Sequence, residues 1–94
     1  MNPRWLSSAL RDLDSAHDVI AAANPPAAAA TIDRIENAAN ALAEHPHLGR
    51  VGRVAGTREL IVARTPFIVA YRVMKGRVEI LAVIHAARRW PGSL

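Results

Sequence analysis

The sequence predicts a two-layer α+β domain, an N-terminal helix hairpin packed on a small antiparallel β-sheet, and three observations carry that expectation. Apolar residues recur at three- and four-residue steps through about residues 6–45. Three short runs over about residues 57–86 are then enriched in β-branched residues. Between the two lies "HPHLGRVGRVAG", residues 45–56, where three glycines and Pro46 mark a loop with room for a short extended piece. Ninety-four residues build one core, so residues 1–94 are read as a single domain without internal repeats.

The first helix is expected from about Leu6 to Ile20, burying Leu6, Ala9, Leu10, Leu13, Ala16 and Ile20 and turning Asp12, Asp14 and Asp18 elsewhere. "ANPPAAAA" interrupts it. Pro25 and Pro26 cannot continue a helix but suit the first turn of a new one, with Asn24 as N-cap. The second helix should bury Ala28, Ile32, Ile35, Ala39 and Leu42 and stop before Pro46. So short a break makes the two an antiparallel hairpin.

"TRELIVAR", "FIVAYRV" and "RVEILAVIH" are the three strands, separated by "TP" and "MKG", connections of hairpin length. The middle run is nearly all apolar, as a strand with neighbours on both sides requires. Its two alternating sets are Phe67, Val69, Tyr71 and Val73 on one face and Ile68, Ala70, Arg72 and Met74 on the other. The second set is expected to be open, because an unpaired buried arginine is costly. Phe67 and Tyr71 then belong to the core.

Charge is divided unevenly. Residues 1–49 hold three arginines against six acids, net −3; residues 50–94 hold eight arginines and Lys75 against Glu59 and Glu79 alone, net +7. Such a half favours an acidic partner, whether nucleic acid or an acidic protein segment, beside the plainer reading of a solvated basic surface. Arginine's planar fork suits carboxylate and phosphate alike.

Several chemistries drop out. The chain has no cysteine, hence no disulfide, thiolate nucleophile or CxxC zinc site. His17, His45 and His47 share no ligand spacing, so no metal or other cofactor is expected. "GRVGRV" lacks the lysine and following helix of a phosphate loop; it bends the chain and displays Arg50 and Arg53. Four aromatics are too few for a base-stacking platform. With no signal peptide and no run of about 18 apolar residues, no membrane partner is expected and a cytoplasmic protein is.

After the helix hairpin, "GRVGRVAGTREL", "TPFIVAYRV" and "EILAVIHAARRWP" in succession resemble the RelE/ParE superfamily of toxins from bacterial type II toxin–antitoxin modules. The most specific residues are Gly56 to Leu60, Thr65-Pro66, Tyr71-Arg72-Val73, His85 and Arg88-Arg89-Trp90. The resemblance covers nearly the whole chain and implies an additional short strand near residues 2–5. It also implies a protein neutralised by a cognate antitoxin that arrests its own cell when released. Two mechanisms share this fold: ParE-like binding to DNA gyrase, and RelE-like cleavage of mRNA in the ribosome.

Metal-free RNA cleavage needs groups to activate the 2′-hydroxyl, stabilise the phosphorane and protonate the leaving oxygen. RelE-like enzymes use basic residues of the open sheet face, one of them in an Arg-Leu-Val-Tyr run. Here the run is Ile68-Val69-Ala70-Tyr71, and the RelE lysine positions fall at about Glu59 and Ile61. The resemblance therefore favours a ParE-like protein with gyrase as target. An mRNA endonuclease built on Arg72, His85 and Arg88 is the alternative, and a non-toxic basic interaction module the third reading. Arg58, Arg72, Arg88, Arg89 and Trp90 are the candidates for contact with target or antitoxin. His85 has a structural reading too, hydrogen bonding near the chain end.

Overall fold

Asn24 opens the second helix as its composition requires, its side-chain oxygen accepting from the Ala27 N–H at 3.2 Å with the prolines in the first turn behind it. In the computed structural model, which describes residues 2–87, the elements run β1 (Arg4–Trp5), α1 (Ser7–Ala21), α2 (Pro25–Ala41), β2 (Arg50–Val51), β3 (Arg58–Ile61), β4 (Phe67–Met74) and β5 (Arg77–His85). α2 therefore ends short of Pro46, with Leu42 as C-cap.

The helices pack on one face of a five-stranded sheet of order β1-β5-β4-β3-β2. β3, β4 and β5 form the expected antiparallel meander, but the sheet is mixed, since β1 joins β5 in parallel with Arg4 opposite Glu79 and Trp5 opposite Ile80. The Leu6 N–H extends that pairing, donating to the Ile80 carbonyl at 3.0 Å. At the far edge β2 pairs with β3, Arg50 opposite Glu59.

The core lies between helices and sheet, with Ile35, Leu42, Val62, Val69, Tyr71 and Ile80 its largest fully buried side chains. The buried stripe of α1 is narrower than its apolar pattern: Ala9, Leu13 and Ala16 are inside, whereas Leu10 is 47% exposed. Ser8 and Asp12 are the cause. The Ser8 hydroxyl donates to the Leu81 carbonyl (2.9 Å) and an Asp12 oxygen accepts from the Val83 N–H (3.1 Å), so this polar flank lies along β5 and turns Leu10 outward.

Those two contacts fall at an irregularity in β5. β4 and β5 are in register on either side of it, Ala70 opposite Ala82 but Tyr71 opposite Ile80, so Leu81 is the extra residue of a β-bulge. Beyond it the alternation of β5 changes parity. Val78, Ile80 and Val83 join the core, while Ala82 and Ile84 join Ala70 in a small cluster on the other side of the sheet.

That other side is less open than expected. Ile68 and Ala70 are buried; only Arg72, half-buried, and Met74, exposed, remain accessible from the set assigned to solvent. Ile68 stands in a cross-strand row between Ile61 and Ile84, and Ala70 between Glu59 and Ala82, so flanking side chains shield both.

Tyr71 is fully buried, and its hydroxyl donates to the Pro46 carbonyl (2.8 Å) while accepting from the Gly49 N–H (2.9 Å). A Cβ at position 49 would lie 2.7 Å from the ring, which is why glycine stands there. Tyr71→Ala is expected to cost about 3–5 kcal/mol of unfolding free energy in a urea titration. Tyr71→Phe, which leaves the Gly49 N–H unsatisfied, should cost about 1–3 kcal/mol. A Tyr71→Phe variant as stable as the parent would mean that the loop does not depend on the hydroxyl.

Candidate functional site: a basic sheet face around two buried carboxylates

β-Pairing decides which charged residues share the face turned away from the helices. Arg50, Glu59, Ala70 and Ala82 align across four strands, and the next row is Arg72, Glu79 and Arg4, with Arg77 two positions from Glu79 along β5. Both acids of the basic half are therefore on this face, and both are buried.

Glu59 is the more enclosed, 2% exposed. One carboxylate oxygen takes Arg50 Nη2 at 3.0 Å and Nε at 3.3 Å; the other takes the Arg53 backbone N–H at 2.8 Å, with Arg53 Nε at 3.4 Å. Burial pushes this carboxyl up, but the Arg53 N–H and the two guanidiniums outweigh it and hold the group below the ordinary carboxylate range. Arg50 and Arg53 are thus displayed at the surface from a common internal anchor.

Glu79 organises the second row. Its Oε1 accepts from Arg72 Nε at 2.7 Å, and that hydrogen bond, with the nearby charges of Arg72, Arg4 and Arg77, holds its carboxyl below the ordinary range against the opposing effect of desolvation.

Arg72 and His85, both named from the sequence as groups a ribonuclease would use, lie on opposite faces. The His85 ring stands edge-on to Phe67, centroids 5.4 Å apart, on the core side, and its Nδ1 accepts from the Ala87 N–H at 3.1 Å in the turn after β5. Arg58 is also on the core side, opposite Tyr71, with Nη1 donating to the Gly49 carbonyl at 2.8 Å. Arg88, Arg89 and Trp90 lie outside the described residues. Arg4 and Arg77, which sequence reasoning did not single out, join Arg72 around Glu79; only pairing across three strands reveals them.

Among the described residues no group of three or more metal-ligating side chains occurs, and no helix is long and apolar enough to cross a membrane.

Residues 4–90 match the family described as the ParE toxin of type II toxin–antitoxin systems, parDE. The chain is 48% identical over 91 residues to Y4kP of Sinorhizobium fredii, a protein named as a candidate toxin, covering 97% of this chain and 94% of that one. It is 40% identical over 84 residues to toxin RelE2 of Caulobacter vibrioides, covering 89% and 93%. Among solved structures, a chain of the chromosomal ParDE toxin–antitoxin system from P. aeruginosa superposes with a TM-score of 0.82 at 27% identity, covering 90% of this chain and 95% of that one.

Both carboxyls titrate below their ordinary value of 4.5, so the unfolded chain binds protons first as pH falls. The stability they contribute is present above that value and is lost as pH drops through their lower folded-state values. Urea midpoints measured between pH 7 and pH 3 should fall most steeply below about pH 4.5. Glu59→Gln should be less stable at neutral pH and show a shallower acid slope. An unchanged slope in that variant would remove Glu59 from the acid response.

Proposed function

The chain belongs to the ParE toxin family of type II toxin–antitoxin systems, and from that premise we propose that it arrests growth in the bacterial cytoplasm by binding its target, DNA gyrase, rather than by cutting RNA. A cognate antitoxin neutralises it.

The observation that carries the binding mechanism is the fate of the positions where an endonuclease of this fold places its cations. Ile68 is buried and apolar; Glu59 is a buried anion already clamped by Arg50 and Arg53; Ile61 is apolar and exposed. None can stabilise a phosphorane. Arg72 and His85 do not converge either, since they occupy opposite faces and the His85 Nδ1 is engaged with the following turn. General acid–base chemistry needs its groups within reach of one substrate.

The antitoxin reading rests on the family and on the charge division, −3 against +7. An antitoxin segment with an apolar side and an acidic side fits such a molecule: apolar residues bury the exposed side chains, and carboxylates meet the basic half.

Induced expression without the antitoxin is expected to stop growth and raise the DNA-damage response, with no codon-position-dependent cuts in primer extension of abundant transcripts. Purified protein should inhibit gyrase supercoiling in vitro. Reproducible cuts within ribosome-occupied codons, abolished by His85→Ala, would establish the endonuclease instead. For the antitoxin, raising salt from about 50 to 500 mM should slow association more than it hastens release in surface plasmon resonance. A salt-independent on-rate would show that the basic half does not guide the encounter.

A further inference from the structure

Glu79 sits at the centre of three arginines drawn from three strands: Arg72 of β4, Arg4 of β1 directly opposite it, and Arg77 on its own strand. Neighbouring strands are about 4.8 Å apart and alternate residues along one strand about 6.8 Å, so the three guanidinium groups can reach a single ligand. Arg4 and Arg77 are exposed, and their side chains make no hydrogen bond or ion pair among the described residues. Arg72 is bonded only through Nε; its two terminal nitrogens have no partner among the described residues.

The carboxylate that holds Arg72 does more than neutralise it. A guanidinium fixed by its Nε has a settled plane, and the opposite edge, carrying the terminal nitrogens, keeps its donors for another acceptor. Glu79 is only 7% exposed, so it anchors Arg72 without occupying the surface. One anion among three arginines leaves an excess of positive charge at this end of the sheet.

We propose that Arg4, Arg72 and Arg77 form a docking site for an acidic segment of a partner protein, with Glu79 as the residue that positions the Arg72 fork. The occupant is identified by charge and by the character of the surrounding surface. Arginine pairs with carboxylates in bidentate fashion. Met74, opposite Arg77 in register and 48% exposed, adds an apolar contact to the same patch, as protein interfaces combine them. A nucleic acid strand is a poorer match: no aromatic side chain of the described residues lies on this face to stack a base, since Phe67 and Tyr71 are in the core and Trp5 packs against it. The site stands apart from the choice of gyrase as target, because it follows from the arrangement of the sheet alone.

The test uses the purified full chain and two probes bearing the same neutral label, octaglutamate with both ends blocked and an octathymidylate whose label is joined through one further phosphodiester, so that each carries about eight negative charges, titrated by fluorescence anisotropy at low salt. Octaglutamate should bind the more tightly. Arg72→Gln should weaken it by about tenfold, and Arg72→Lys, which keeps the charge and loses the fork, nearly as much. Arg4→Gln and Arg77→Gln, which break no hydrogen bond in the fold, should each weaken it several-fold. Arg11→Gln and Arg34→Gln on the helices remove the same charge elsewhere and should change affinity less than about twofold. Circular dichroism melts on every variant separate loss of binding from loss of fold; should Arg72→Gln unfold, the Arg4 and Arg77 variants still decide. Equal losses for all five neutralised arginines would reduce the site to net charge. Tighter binding of the octathymidylate through the same three residues would make the occupant a nucleic acid, and either result overturns the proposal.

Discussion

The Tyr71 hydroxyl is the tie on which the basic half is assembled. Its ring fills the core between the helices and the sheet, and its oxygen reaches the backbone of the loop that leaves α2, accepting from Gly49 and donating to Pro46. That fixes where the chain enters β2. Arg50 follows at once, opposite Glu59, and the buried carboxylate then holds Arg50 and the Arg53 backbone together. The Arg58 guanidinium closes the same loop from the core side through the Gly49 carbonyl. After Leu42 has packed into the core, a chain with no regular structure over residues 43–49 is thereby anchored at several points by polar bonds.

The two glutamates of the basic half solve one problem twice. A sheet face bearing five arginines repels itself, and an unanchored arginine has a long side chain free to sample many rotamers. Burying a carboxylate is costly unless it is paired, and each glutamate is paired. Glu59 gathers Arg50 and Arg53; Glu79 holds Arg72. The face stays positive because the acids lie beneath their partners, and it stays ordered for the same reason. The helices carry the opposite excess, which leaves the molecule polarised along the stacking direction of its layers.

Much of this was legible in local chemistry. Asn24 with Pro25 and Pro26 marks the start of α2, and the structure shows that cap. The nearly all-apolar middle run is a central strand, and Tyr71 and Phe67 are in the core. Other features were hidden for identifiable reasons. Leu10 fits an apolar stripe, yet Ser8 and Asp12 find partners on β5 and rotate the helix away from it. Ile68 and Ala70 were assigned to the open face because they alternate with Arg72, but whether flanking side chains cover them depends on which strands lie beside them. Arg58 looked available, and it faces the helices because its register partner is Tyr71.

The sequence by itself determined the helix hairpin and the three-strand meander after it, the capping residue, the identity of the central strand, the charge division between halves and the apolar residue at position 68. Each rests on neighbours within a few positions, where backbone periodicity and propensity act directly. Only the tertiary structure decided which side chains share a face. Glu79 and His85 have the same parity and would project together from a regular strand; the extra residue Leu81 puts them on opposite sides and separates Arg72 from His85. That bulge is held by Ser8 and Asp12, 73 and 71 residues away from their partners along the chain. The gathering of Arg4, Arg72 and Arg77 around one carboxylate has the same origin, since β1 joins β5 in parallel only after the helix hairpin has been crossed and the meander completed.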